Sequence, residues 1–304
     1  MDVLSRPLTI RGSGPRVLVI YKKSALQVYV HERKNERIGQ LLKAKHPVVA
    51  RLRRAHEAHH SALLRAQSAL RKMSAHAEFR FRSDPGRSDS FDLVVTLGGD
   101  GTLLWASHIV GKNHPIVAIN TAPEDSVGYF CAGTSANLED VLRDAVTMQL
   151  KPTELTRMRV DVDGVTKSAR VLNDALFCHE NPASTSRYLL RHQSKRVEHK
   201  SSGVWVGPAA GSTAALRSAG GQVLPAASKL IQFVVREPYS PTGKSVELAR
   251  GLVKAGASLE LVSKMRAGRL YLDGSHLAHV IEMGSVLRFK RSTEPLTLLG
   301  FRRT

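Results

Sequence analysis

The stretch Phe91-Asp92-Leu93-Val94-Val95-Thr96-Leu97-Gly98-Gly99-Asp100-Gly101-Thr102 decides the fold. Its first half is an apolar, β-branched run, the pattern of a strand buried on both faces. Its second half sets three glycines around one carboxylate, and a helix is expected from about Thr102 to Val110, closed by Gly111. A buried strand passing through a glycine loop into a helix is one step of a parallel sheet.

Working outward, Arg16 to Lys22 reads as a strand after a Gly-Ser-Gly-Pro turn, and Ile116 to Asn120 as another. Pro47 to about His76 reads as one long helix, with Val49, Leu52, His56, His59, Leu63, Ala66, Leu70 and Met73 at three- and four-residue spacing. Ala77 to Arg82 is a further strand. This rhythm predicts an α/β domain with a parallel sheet over residues 1–122. Beyond Ala122 comes one helix, Asn137 to Met148, and then short β-forming segments at 157–162, 168–172, 203–206, 230–236, 258–262, 269–272 and 285–290. They predict a mainly β domain over 123–290, with 291–304 packing back on the first domain.

The loop carries the chemistry. Its glycines are expected to let the backbone turn sharply and approach a phosphate chain, with amide N–H groups and a helix N-terminus to receive the anion. A carboxylate there would repel phosphates unless Asp100 accepts a proton from an attacking hydroxyl or holds a magnesium ion. Thr102 suits a helix cap or a phosphate contact. The plain alternative is a glycine-rich turn with Asp100 as N-cap.

Two more clusters stand out. Gly211-Ser212-Thr213-Ala214-Ala215, followed by Ser218-Ala219-Gly220-Gly221, offers a small-residue surface for a ring or ribose; alone it reads as a capped helix. Leu172-Asn173-Asp174 places an amide beside a carboxylate at a strand end, able to read ribose hydroxyls or an adenine edge; alone it reads as an Asx turn.

In this order the three motifs resemble the NAD kinase family, over roughly Asp92 to Gly284. The nearer likeness is to its plant-type NADH kinase branch, through Leu172-Asn173-Asp174, Ser201-Ser202-Gly203, Ala209 to Ala215, Arg236-Glu237-Pro238 and the strand–turn Leu272-Asp273-Gly274. The resemblance implies a two-domain architecture with the active site between the domains, ATP as donor, a divalent cation such as Mg2+, NAD or NADH as acceptor, and a homo-oligomer. It implies Asp100 as the base that activates the 2′-hydroxyl of the adenosine ribose, in a loop where Gly98, Gly99, Gly101 and Thr102 meet the nucleotides. It places Asn173 and Asp174 on the dinucleotide or the donor, and Thr213, Ala214 and Ser218 along the dinucleotide. Three departures bear on the nicotinamide end. Ser202 replaces a usual Asp, Ala215 a usual Tyr, and Thr121 to Gly128 a usual glycine- and leucine-bearing segment. The lost carboxylate and ring suggest a tilt toward NADH.

Other readings are weaker. His56-Glu57-Ala58-His59-His60 matches a zinc-protease pattern, but His60 falls off the face shared by His56 and His59 and no third ligand offers itself. An oligomer or domain contact is expected there instead. Gly243-Lys244-Ser245 ends like a P-loop but lacks the earlier glycine, which is Pro238. Lipid kinases of the diacylglycerol and sphingosine type share a glycine–aspartate loop without the other motifs, and a dinucleotide sensor without turnover is the non-enzymatic alternative.

The net charge of +19 in 304 residues suits anionic ligands, yet the basic residues are scattered and aromatics are only 5%, so nucleic acid is not expected. No apolar run nears the roughly 20 residues of a membrane span. Met1 to Arg6 lacks a secretory pattern, which makes the cytoplasm the expected compartment. Cys131 and Cys178 read as small, half-buried apolar residues.

Overall fold

The computed structural model describes residues 8–83, 86, 90–240 and 245–302. The chain forms two units, one running to Thr153 and taking in Thr297–Arg302, the other Glu154–Leu296. The first unit therefore reaches well past the expected boundary at 122. The reason is that Gly133–Thr134 adds a short strand beside Ile116–Asn120, and the amphipathic helix Leu138–Val146 buries Leu138, Val141, Leu142 and Ala145 in the first core. Gly243 and Lys244 of the rejected P-loop reading lie outside the described residues.

The first unit is built on one sheet with strands in the order Leu8–Ile10, His76–Phe81, Arg16–Tyr21, Leu93–Gly98, Ile116–Asn120, Leu296–Leu299, Pro152–Leu155. The strands from His76–Phe81 to Leu296–Leu299 are mutually parallel, and Leu8–Ile10 runs antiparallel at the edge. Leu93–Gly98 is buried along its whole length, as its unbroken apolar run requires. The segment between Lys22 and Pro47 reads as a polar connection, but it folds into a π-helical turn, Gln27–Glu32, and a helix, Glu36–Lys43, capped by Asn35. Neither fully buries a residue; the short helix shows its amphipathic face only in Ile38, Leu41 and Leu42, which are half-buried.

The long helix is Pro47–Lys72, opened by Pro47 in its first turn. Of the expected stripe, Val49, His59, Leu63, Ala66 and Leu70 are buried. The helix belongs to the first unit's own core and joins the helix Leu138–Val146 through Arg65 Nε, 2.7 Å from Glu139 Oε1. His59 is 3% exposed, with Nδ1 2.8 Å from Thr121 Oγ1 and Nε2 2.7 Å from the Lys22 carbonyl. Both ring nitrogens are thus committed inside the unit. Burial above all, with the charges of Lys22, His56 and His60, lowers its pKa to about 4.

This depressed value has a definite sign. His59 contributes its full stability above the unfolded histidine pKa of about 6.5, and that contribution is lost as pH falls toward 4. The loss is expected to reach about 3 kcal/mol. Thermal melts between pH 7 and pH 4 check this: the slope should be steeper for the native chain than for His59→Gln, and equal slopes would remove His59 as the cause.

The second unit is two antiparallel six-stranded sheets enclosing one core. One has the order Arg250–Val253, Ile231–Val235, Val204–Pro208, Ala175–His179, Gly268–Leu272, Leu277–Ile281. The other has the order Lys195–Ser201, Ser186–His192, Ser258–Ser263, Val286–Arg291, Met158–Val162, Val165–Val171. Ala175 pairs with Leu272 on one side and Val206 on the other, which brings the residues just before Ala175 and just after Leu272 and Pro208 to one edge of the sheet.

Candidate active site

In the first unit the chain leaves Arg16–Tyr21, forms His76–Phe81 on one side of it, and returns as Leu93–Gly98 on the other. This reversal of direction is a topological switch point, and the carboxyl ends of Arg16–Tyr21 and Leu93–Gly98 beside it are where open α/β sheets bind ligands in a crevice. Gly98 to Thr102 occupies one lip of that crevice. Lys22 ends the other strand, half-buried, its ammonium pKa lowered first by burial and next by the charge of Arg82, with Asp125 opposing.

The helix begins at Asp100, with Gly99 as its N-cap and no side-chain cap bond. Neither Thr102 nor Asp100 therefore caps it. Asp100 Oδ2 instead accepts from the Tyr129 amide at 2.8 Å and Oδ1 from the Phe130 amide at 2.9 Å. Two backbone donors fix the plane of the carboxylate and leave each oxygen a further lone pair. Tyr129 and Phe130 are themselves packed edge to face, 5.0 Å between ring centroids, and Tyr129 meets Phe301 at 5.7 Å.

The three loop glycines do not provide a left-handed turn, since none has positive φ. What they provide is room. A Cβ at Gly98 would stand 2.1 Å from Thr102 Oγ1, while one at Gly101 would meet nothing within 4 Å. Thr102 Oγ1 is buried without a hydrogen-bond partner in the described structure. Cys131 lies nearby; burial, then the charge of Asp100, pushes its thiol up to about 12, so it is an inert thiol.

The segment after Ile116–Asn120 is tied down by Asn120. Its Nδ2 donates to the Ser126 carbonyl at 3.0 Å, and its Oδ1 accepts from the Ala122 amide at 3.1 Å and Ser126 Oγ at 3.0 Å. Gly128 closes the turn at φ +63°, where a Cβ would press on Asn120 Nδ2 at 2.7 Å. Tyr129 and Phe130 follow at once, so this turn delivers the two amides that hold Asp100.

The second unit gathers the other motifs. Asn173 Nδ2 donates to Asp174 Oδ2 at 2.6 Å. Asp174 is 6% exposed, and burial, then the negative charge of Asp273, raises its pKa to about 7, with the Asn173 bond opposing. The segment Ala209–Thr213 is a 3-10 helix, followed by the short helix Ala215–Ser218 without a side-chain cap. Gly211 lies against the Asn173 peptide: a Cβ there would be 1.6 Å from its carbonyl oxygen. Ser212 is buried, while Thr213 is half-buried and Ala214 and Ser218 are exposed. The fold thus brings Asn173 and Asp174 against Gly211, at the head of the segment bearing Thr213, Ala214 and Ser218. Ser202 borders an open cavity of about 650 Å³ in this unit, with Arg187, Lys200, Glu237 and Tyr239 among its walls.

Sequence reasoning missed Asn120 and Lys22, and gave Asp273 no role beyond its turn. The available signals were a polar or charged residue at a parallel strand's carboxyl end and an Asp-Gly step after a strand.

Residues 17–147 match the family model described as ATP-NAD kinase N-terminal domain. A probable NADH kinase of Oryza sativa subsp. japonica is 38% identical over 229 residues, covering 68% of this chain and 70% of that relative. The chain belongs to the NAD kinase family. It is a kinase of that family, and an NADH kinase of Arabidopsis thaliana is 31% identical across 68% of the chain and 72% of that relative. Among solved structures, an NAD kinase from Archaeoglobus fulgidus in complex with ATP aligns with TM-score 0.64 at 20% identity, over 93% of each chain. Yeast NADH kinase complexed with NADH aligns with TM-score 0.65 at 16% identity, over 94% of this chain and 84% of that one. At such identities these two likenesses speak for the fold: an α/β domain with a parallel sheet and a mainly β domain, as expected from the sequence. No helix among the described residues is long and apolar enough to cross a membrane.

Proposed function

We propose that this chain transfers the γ-phosphoryl group of ATP to the 2′-hydroxyl of the adenosine ribose of NAD or NADH. The observation that carries the assignment of roles is the Asp100 carboxylate, held by two backbone amides at the carboxyl end of a buried parallel strand. In this reading Asp100 takes the hydroxyl proton as the 2′-oxygen bonds to the γ-phosphorus and the bond to ADP breaks. Gly98, Gly99, Gly101 and Thr102 line the nucleotides, with the unpartnered Thr102 hydroxyl as one donor toward them. Asn173 and Asp174 hold the dinucleotide, and Thr213, Ala214 and Ser218 lie along it.

The described residues contain no group of three or more carboxylate, histidine or cysteine side chains able to hold a metal. A resident metal centre does not fit them. A magnesium ion fits better as part of the donor, carried on the phosphates of ATP, which is how this hard, strongly hydrated cation usually reaches kinases.

NADH is proposed as the preferred acceptor. Ser202 and Ala215 remove a carboxylate and an aromatic ring that a cationic nicotinamide would favour, and the cavity beside Ser202 carries Arg187 and Lys200. The two plant relatives bear the name NADH kinase. A homo-oligomer and a cytoplasmic setting belong to the same reading.

The test is purified protein with magnesium, ATP and each dinucleotide, followed by detection of the 2′-phosphorylated product. NADPH should form with a kcat/KM for NADH at least several-fold above that for NAD. A preference for NAD would reject the acceptor assignment, and no product from either would reject the kinase reaction.

A further inference from the structure

Asp273 is the buried carboxylate nearest the proposed dinucleotide contacts, and its interactions differ from those of a residue that merely closes a turn. It is 5% exposed and stands in the left-handed region at φ +49°, directly after the strand Gly268–Leu272. Oδ2 accepts from the Leu172 amide at 2.8 Å, and Oδ1 from the amides of Asn173 at 2.7 Å and Asp174 at 3.0 Å. Its own amide donates to the Asp174 carbonyl at 2.8 Å. One side chain thus takes three successive N–H groups, which fixes the peptide planes that aim Asn173 and Asp174.

Two arginines stand on the far side of Asp273. Arg157, the largest fully buried side chain, has its pKa lowered to about 9 by burial and then by the charge of Arg170, with Glu294 and Asp273 opposing, and it donates to the carbonyls of Glu294 at 2.6 Å and Pro295 at 3.1 Å. Arg170 pairs with Glu294 at 2.7 Å. The negative charge of Asp273 is, after burial, the second cause that raises Asp174.

We infer that Asp273 is the positioning residue of the dinucleotide site, setting the aim of Asn173 and Asp174 toward a ribose hydroxyl. This rests on the proposed role of Asn173 and Asp174. Binding a hydroxyl donor requires the charged carboxylate, and burial beside Asp273 delays that charge until pH about 7. The native enzyme should accordingly show a KM for the dinucleotide that falls as pH rises through that range.

The experiment is Asp273→Asn, which keeps the shape and removes the charge. An asparagine turns an NH2 toward one of the three amides, so KM for the dinucleotide should rise about tenfold or more, with a smaller change in kcat. Its acid limb should also move to lower pH, because the charge that raised Asp174 is gone; a purely structural role would leave that limb in place. Unchanged KM and an unmoved limb overturn the inference. Asn173→Ala separates the two levels. If it leaves the dinucleotide KM unaltered, the site reading itself fails; if it raises KM while Asp273→Asn does not, only the positioning role fails. Should Asp273→Asn not fold, amide hydrogen exchange on the native protein decides. Slow exchange at Leu172, Asn173 and Asp174 supports the role, and exchange at unprotected rates overturns it.

Discussion

Asp100→Asn is expected to lower kcat about 10²- to 10⁴-fold, the range a positioned general base contributes. Binding of ATP, measured by titration, should change little, because the asparagine carbonyl still accepts one of the amides of Tyr129 and Phe130. The other amide then faces an NH2 group, an unsatisfied donor costing about 1–3 kcal/mol. A thermal melt separates this local cost from the catalytic one. If turnover survives within a factor of a few while the fold is intact, Asp100 is not the base. The prediction is strong because the carboxylate is not free to swing: both oxygens are fixed by backbone rather than by mobile side chains.

The second large effect is expected from a single methyl group. Gly211→Ala would place a Cβ 1.6 Å from the Asn173 carbonyl oxygen, 2.5 Å from its carbon and 2.9 Å from its Cα. All three are backbone atoms, so no rotamer change relieves the clash, and the Asn173 peptide must move. Overpacking of this kind costs about 1–3 kcal/mol and more where the backbone resists. Here Asp273 Oδ1 accepts from the Asp174 amide of that same peptide unit at 3.0 Å, so the upper end is expected. Denaturant unfolding should show the loss, and KM for the dinucleotide should rise with it. Gly39→Ala is the internal control. Gly39 lies inside the helix Glu36–Lys43 with nothing within 4 Å of a built Cβ, so the same change should stabilise by about 1 kcal/mol. A Gly211→Ala protein as stable as the native chain would show that the two segments do not press together.

What the sequence made legible follows from where the physics is local. Leu93–Gly98 and Arg16–Tyr21 announce themselves because a strand buried on both faces must be apolar throughout. The hairpin of Ser186–His192 and Lys195–Ser201 was illegible for the opposite reason. Its outward positions carry Arg187, Arg191, Lys195, Arg196 and Lys200, and its turn, Gln193-Ser194, lacks the Asn-Gly or Asp-Gly signal, although Gln193 takes the positive φ itself. Asp100 was legible as a candidate because a carboxylate among glycines is chemically odd. The amides of Tyr129 and Phe130 were not, since backbone donors carry no residue type. The expectation of an oligomer or domain contact at His56 to His60 did not foresee that His59 is buried within the first unit, for a related reason. A histidine on an apolar stripe can be buried when both nitrogens find partners, and Thr121 and the Lys22 carbonyl are remote in sequence.

The strand Leu296–Leu299 lies inside the first sheet, between Ile116–Asn120 and Pro152–Leu155, rather than at its rim. Vectorial synthesis therefore finishes the first unit last. Everything from Glu154 to Pro295 emerges before the strand that fills the gap beside Ile116–Asn120, and until then two interior ladders have no partner. A gene fragment cut at the unit boundary would encode a sheet with a missing plank, so the first unit is not contiguous in the reading frame.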